Sequence, residues 1–364
     1  MHHRHLTRRD FVKTSAGVAL GTAANSLLPP WLGRRYAAEP PVVSIVQIGN
    51  GGVERAVEAA IDLLGGLETV AGGKERIMLK PNLVAEGPGF TTKPAVIGAL
   101  ARLMQRAGKN VSIGEGSAAG TGFNVRGPVT YRTRNREILD GMQRYVFDQL
   151  GYTELARTLG IPLVNLHSGE MVDVPVPDGF ALDTITLHRS VAEADLLCSV
   201  PMMKTHVLAT VTLGMKNLIG LYPGTVYYSV RSWLHDRAAT AQSPGIAFET
   251  LDMVRASRLG LTVVDGTMAM EGDGPTGGQL VPMNVIIAGT NPVATDMVGA
   301  AVMGFGVDEV PTLTWGHRAG LGPESLGGIE MRGARVEDVR RPLAKPHVVP
   351  WPSISKVWGV QELP

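Results

Sequence analysis

Short apolar runs alternate with longer stretches of helical spacing along residues 42–305. Val42 to Ile48, Arg76 to Leu79, Asn110 to Ile113 and Pro162 to Leu166 each have the length and composition of a strand. Between them, Val53, Val57, Ala60, Ile61 and Leu64 share one helical face, and Pro94 to Ala107 and Glu137 to Leu150 are further helical stretches. Thr153 to Leu159 predicts a short helix. Met171 to Pro177 and Asp183 to Leu187 alternate around a Pro-Asp-Gly turn and predict an antiparallel addition. Val191 to Ala194 predicts a helical turn, Leu196 to Val200 a buried strand and Pro244 to Arg258 a helix. Val285 to Ala288 predicts a strand, and Asn291-Pro292 opens a helix, because Asn caps and Pro suits the first turn. Strands alternating with helices of these lengths predict an α/β fold. Its sheet is mostly parallel and doubly wound, with helices on both faces.

Leu261 to Gly278 organises the rest. Leu261 to Val264 predicts a buried strand, and Asp265 follows it. Gly266, Gly272, Gly274, Pro275, Gly277 and Gly278 then predict a loop carrying Asp265, Glu271 and Asp273. Ligands of open α/β sheets bind beyond the carboxyl ends of strands, and clustered carboxylates suit a hard cation. These three are therefore candidate ligands for a divalent metal, although the spacing is not that of an EF-hand. The alternative is that Asp265 caps a turn while Glu271 and Asp273 are solvated.

Other chemistry-bearing residues also follow predicted strands. Lys80 and Asn82 come after the second, Glu115 after the third, and Lys204 and His206 after Leu196 to Val200. Lys216 and Asn217 lie a turn and a helix further on. Lysines hold anions as point charges, and a histidine titrates near neutrality. Lys204, His206 and Asp265 are thus candidate catalytic residues. Lys80, Asn82, Glu115, Lys216 and Asn217 are candidate anion-binding neighbours. The alternative is a structural ion network without a ligand. Two segments could cover such a site. Gly120 to Arg136 is rich in glycine and arginine, and Tyr222 to Asp236 mixes aromatics with Arg231 and His235. The default for the first is a solvated face, with an anion-binding lid as the alternative, and the second reads first as a surface helix with a packed aromatic face. Asp296 falls in the first turn of its helix, where a carboxylate complements the dipole.

Composition narrows the classes. Lys and Arg number 34 against 33 Asp and Glu, so the basic excess of a nucleic-acid binder is missing. A single cysteine, Cys198 in an apolar run, permits no internal disulfide and no iron–sulfur cluster held by this chain alone. No P-loop, G-x-S-x-G elbow, zinc-type Cys/His spacing or H-E-x-x-H occurs. Thr7-Arg8-Arg9-Asp10-Phe11-Val12-Lys13 matches a twin-arginine export signal, followed by a weakly apolar stretch from Ala16 to Leu28. That pattern predicts recognition by the twin-arginine translocation machinery and a periplasmic or cell-envelope location. Residues 1–38 are either removed or kept as an N-terminal anchor, with no further transmembrane domain expected. The organisation expected is a signal segment over 1–38, an α/β domain over 42–333, and a proline-rich tail over 334–364. Two α/β halves dividing near 170–195 are a variant of this.

Lys80-Pro81-Asn82-Leu83, Pro201-Met202-Met203-Lys204-Thr205-His206, Leu213-Gly214-Met215-Lys216-Asn217-Leu218-Ile219-Gly220 and Val264 to Pro275 occur in this order, followed by Asn291 to Asp296. Together these blocks resemble the prokaryotic domain-of-unknown-function family 362. The resemblance implies an α/β domain of unassigned activity, in some members joined to a ferredoxin-like module that this chain, with one cysteine, does not carry. The functional expectation therefore comes from the residues. It is an exported metal-dependent enzyme acting on an anionic small molecule that bears phosphate or carboxylate. A non-catalytic protein that carries a cofactor or ligand outside the cytoplasm is the alternative.

Overall fold

The computed structural model describes residues 39–240, 242–348 and 359–363. The segment 1–38 expected to carry an export signal and the tryptophans Trp351 and Trp358 of the tail lie outside them. The described residues from Pro40 onward cluster as one compact unit.

Its frame is a ten-stranded sheet. In chain order the strands are β1 Val42–Gln47, β2 Arg76–Pro81, β3 Asn110–Glu115, β4 Leu163–Asn165, β5 Leu196–Val200, β6 Met202–His206, β7 Thr210–Thr212, β8 Leu259–Glu271, β9 Gln279–Gly289 and β10 Glu330–Gly333. Across the sheet the order is β10-β1-β9-β8-β5-β2-β3-β4, with β6 paired to β8 and β7 to β6. Pairings through β2, β3, β4, β5 and β8 are parallel, and β9 runs antiparallel to both β1 and β8. The principal helices are α1 Gly52–Leu63, α2 Pro94–Arg106, α3 Arg136–Gln149, α4 Tyr152–Leu159, α5 Gly214–Asn217, α6 Ser232–Thr240, α7 Ala247–Ser257 and α8 Pro292–Val302. Met171–Pro175 and Thr184–His188 form a separate antiparallel pair. The expected α/β class, with a mostly parallel sheet and a small antiparallel part, is what the chain adopts.

Alternation along each strand separates two cores. Ile77 and Leu79 enter one apolar cluster with α1, α2 and the end of α3, while Met78 between them enters the other with α7 and α8. Val263, Ile286 and Ala288 join the first, and Val264, Val285 and Ile287 the second. Successive side chains of a strand point to opposite faces, so near-continuous apolar runs are buried on both sides. β5, which follows residues 170–195, lies between β2 and β8, so the main sheet runs through both proposed halves.

The strand around Asp265 is longer than its glycines predict. β8 continues to Glu271, pairing with β9 through a register shift between Gly266 and Met268. A Cβ on Gly266 would lie 2.6 Å from the carbonyl oxygen of Val285, so this glycine permits close strand approach. Only at Gly272, with φ +79°, does the chain turn out of the ladder. The described part of the tail lies against the body. Its Arg341 and Leu343 N–H groups donate to Val302 and Met303, and Gln361–Glu362 pairs with Tyr131 and Arg132. Among the described residues no helix is long and apolar enough to cross a membrane.

Candidate functional site

At the carboxyl ends of β2, β3 and β5 the chain forms a half-open cavity of about 280 Å³. This is the edge where an open parallel sheet offers room, since the connections leave it there. Lys80, Asn82, Glu115, Lys204, His206, Lys216 and Asn217 all line it. Val84, Leu208 and Ile219 contribute apolar wall.

Local structure explains the convergence. Pro201, which has no N–H, separates β5 from β6, and its carbonyl accepts from Asp265 N–H at 2.8 Å. β6 then alternates. Lys204 and His206 line the cavity, while Thr205 turns away to donate to the carbonyl of Gly272 at 2.7 Å. The turn into β7 brings Thr212 opposite Lys204. α5 begins two residues later and carries Lys216 and Asn217. Its first amides, Gly214 and Met215, donate to the buried carboxylate of Asp296 at 2.7 and 2.8 Å. Asp296 is the fifth residue of α8, beyond the first turn where the sequence placed it, and its carboxylate serves the amides that open α5 instead of the dipole of its own helix. The approach needs glycine, because a Cβ on Gly214 would lie 2.6 Å from Thr262 and 2.8 Å from Asp296.

Two of the three lysines differ sharply in their commitments. Lys80 Nζ donates to Glu115 Oε2 at 2.8 Å, to Asn217 Oδ1 at 2.9 Å and to the carbonyl of Pro81 at 2.8 Å. An ammonium has three N–H donors, so all of them are used. Glu115 is similarly occupied, accepting from the N–H groups of Leu83 and Gly116 as well. Lys216 Nζ forms no hydrogen bond or ion pair with any described residue. Burial, then Lys80 and Arg231, push its amine down to about 7. Lys204, fully buried, donates to the carbonyl of Phe90 at 2.6 Å and keeps donor capacity to spare. Burial together with Lys216 and Lys80 lowers it well below an ordinary lysine.

His206 Nδ1 accepts the N–H of Leu208 at 3.0 Å, so a neutral ring carries its proton on Nε2. Burial, then Lys216, Lys204 and His235, holds that ring neutral well below its usual range. His235, on α6, has a buried Nδ1 without a partner among the described residues and is likewise lowered by burial, Lys216 and Arg231. Arg231 donates to the carbonyls of Gly116, Ser117 and Gly220, and burial brings it down to about 10. The segment Tyr222 to Asp236 therefore does cover the cavity, with Val230, Arg231 and His235 inward. The other covering candidate contributes Thr130. Its Arg132 pairs with Asp236 and Glu362, and Arg134 lies over the Tyr228 ring.

The three acids of the glycine-rich stretch are not brought together. Asp265 is wholly buried but turned from the cavity, accepting from Lys93 N–H at 2.8 Å and from the N–H and hydroxyl of Thr267 at 3.0 and 2.6 Å. It fixes the chain entering α2. Glu271 accepts from Ala344 N–H, and exposed Asp273 from His347 N–H. Extension of β8 carries Glu271 and Asp273 away from Asp265, and tail amides occupy them. Among the described residues no three His, Cys, Asp or Glu side chains form a metal-holding group.

The profile of the family described as Domain of unknown function (DUF362) matches residues 77–301. The chain belongs to the DUF362 family. Every residue that lines the cavity falls inside the DUF362 match. The chain is also similar to the thylakoid-associated protein sll1697 of Synechocystis sp., 26% identical over 276 residues, covering 75% of this chain and 77% of that one. Among solved structures it resembles the lactate racemase apoprotein from Thermoanaerobacterium thermosaccharolyticum, with 14% identity and a TM-score of 0.44. The match covers 76% of this chain and 58% of that one, so the chain spans little more than half the length of that structure. A protein from Thermotoga maritima is similar at 13% identity and a TM-score of 0.34, over 65% of this chain and 54% of the other.

Proposed function

We propose that this DUF362 protein is an enzyme that binds a small organic anion in the cavity and acts on it by proton transfer. The observation that carries the reading is the cavity's charge balance. Lys204, Lys216 and Arg231 line it without an ion pair among the described residues, while the one carboxylate there, Glu115, is shared by Lys80 and two backbone amides. Burying cations without counter-charge is costly, and an anionic ligand supplies the missing charge. Lys216, whose amine lies at about 7, then faces the ligand beside the neutral imidazoles of His206 and His235, and a group poised near the working pH is what general acid/base chemistry needs. The divalent cation expected from Asp265, Glu271 and Asp273 is not carried into this proposal, because their oxygens serve backbone amides elsewhere.

Calorimetric titration with acetate, benzoate and inorganic phosphate tests it. Binding should be accompanied by net proton uptake at pH 8, where the empty protein's Lys216 is mostly neutral, and a Lys216→Met variant should lose that uptake. Binding without turnover of any derivative would favour the carrier alternative, and no binding of any anion would end both. We further propose export by the twin-arginine route, resting on residues 7–13. Replacing Arg8 and Arg9 by lysine should then retain the protein inside the cell in a fractionation assay, and unchanged export would refute it.

A further inference from the structure

We propose that Lys216 is a nucleophile that forms an imine with the carbonyl carbon of a small 2-oxo acid. The proposal deepens the anion-binding reading and rests on it.

The geometry separates two tasks among the cavity's amines. Lys80 has no free donor, since Glu115, Asn217 and the carbonyl of Pro81 take all three. Lys204 is anchored through one N–H to Phe90 and has the capacity to hold a carboxylate with the others. Among the described residues Lys216 is the cavity lysine without an anchor, on a short helix whose first two amides are held by Asp296. Its surroundings disfavour an ammonium. Val84, Leu208 and Ile219 form apolar wall, Lys80, Lys204 and Arg231 are like-charged neighbours, and His206 and His235 are the imidazoles. The one carboxylate lining the cavity, Glu115, is occupied by Lys80, and Asp296 faces the amides of Gly214 and Met215. A desolvated lysine beside a second cation is an activated amine.

The step balances without a further reactant. The Lys216 nitrogen lone pair attacks the ketone carbon, the carbonyl π pair moves to oxygen, and a carbinolamine results. One nitrogen proton passes to that oxygen, with His206 Nε2–H and His235 as the imidazoles able to relay it. Water then leaves as the C=N bond forms. A proton taken up by the imine restores one positive charge, paired with the substrate carboxylate.

The test uses the full chain with pyruvate as probe and borohydride as trap, followed by intact-mass measurement and peptide mapping. One pyruvate-derived adduct per chain on Lys216 is expected. It should form more than about a hundredfold faster than on surface lysines at pH 7, which hold little free amine. Trapping should increase as pH rises through 7, and a Lys216→Arg variant, checked for folding by circular dichroism, should give none. Mapping the unmodified protein does not depend on that variant, so a misfolded substitution would leave the assay intact. Adduct spread over surface lysines, or placed on Lys204, would overturn the proposal. Calorimetry with propionate, which has no carbonyl, separates the two ideas. Propionate binding without pyruvate trapping would remove the imine and keep the anion site, whereas binding of neither would remove both.

Discussion

Lys80 and Lys204 are both buried at one sheet edge, yet only one can serve a ligand. The distinction is donor arithmetic. Lys80 spends three N–H groups on Glu115, Asn217 and Pro81, so giving one to a ligand would break a bond already made. Its role is to hold β2, β3 and α5 at fixed separation. Gly220 closes over this pair, since a Cβ there would lie 2.4 Å from Glu115 Oε1 and 2.6 Å from Lys80 Nζ. Removing one charge of such a pair is expected to cost more than removing both, because the survivor is then buried alone. Glu115→Gln should therefore destabilise the protein by about 3–5 kcal/mol, with Lys80→Met added to it recovering a good part of the loss. Denaturant unfolding of the two single variants and the double variant measures this. Additive losses would show that the pair is not the unit described.

Elements were readable from sequence where one signal sufficed. Alternation and helical spacing located α1, α2, α3 and β1 to β5 within a residue or two of their ends, because burial on one or both faces dictates those patterns. The residues gathered at strand ends (Lys80, Asn82, Glu115, Lys204, His206) were legible for the same reason, since the carboxyl edge of a parallel sheet fixes where they emerge. Lys216 and Asn217 followed from their nearness in the chain. What sequence alone could not supply was the direction of a side chain whose partner is remote. Asp265 accepts from Lys93, which is 172 residues away, and nothing beside it announces that amide. Glu271 and Asp273 are claimed by the tail in the same way. The length of β8 was hidden because Gly266 marks close approach to β9 and not the start of a loop. Arg231 and His235 were visible only as members of a mixed aromatic and cationic segment. Their inward placement follows a backbone that turns left-handed at Val230 (φ +50°) and Arg231 (φ +52°), positions where no glycine signals it.

For the whole molecule, the cavity's cations set how stability depends on pH. Lys216 titrates at about 7 when folded, against 10.5 for an ordinary lysine, and Lys204 is lowered in the same direction. Between about 7 and 10.5 the unfolded chain therefore holds protons that the folded chain has shed, and stability rises with pH across that window. Below 7 Lys216 is protonated in both states, and its penalty is complete and constant. Other groups restrict where the effect is seen cleanly. Burial raises Asp296 and Glu249 to about 7, and each removes stability as pH climbs toward 7 from the ordinary carboxylate range. His206 and His235, held neutral, act oppositely below 6.5. Cys198 is raised from 9.0 and removes stability above that value. The window from about 7 to 9 is thus governed mainly by the lysines. The melting temperature of the ligand-free protein should rise across it, and Lys216→Met should give a higher value at pH 7 and a flatter slope. A saturating carboxylate should flatten the slope too, because its charge returns the proton to Lys216 and stabilises the folded state most where the penalty is largest. Melting curves in overlapping buffers at fixed ionic strength would decide it. A wild-type profile already flat from 7 to 9 would mean that the Lys216 ammonium has a counter-charge, and the cavity would then have no need of an anionic guest.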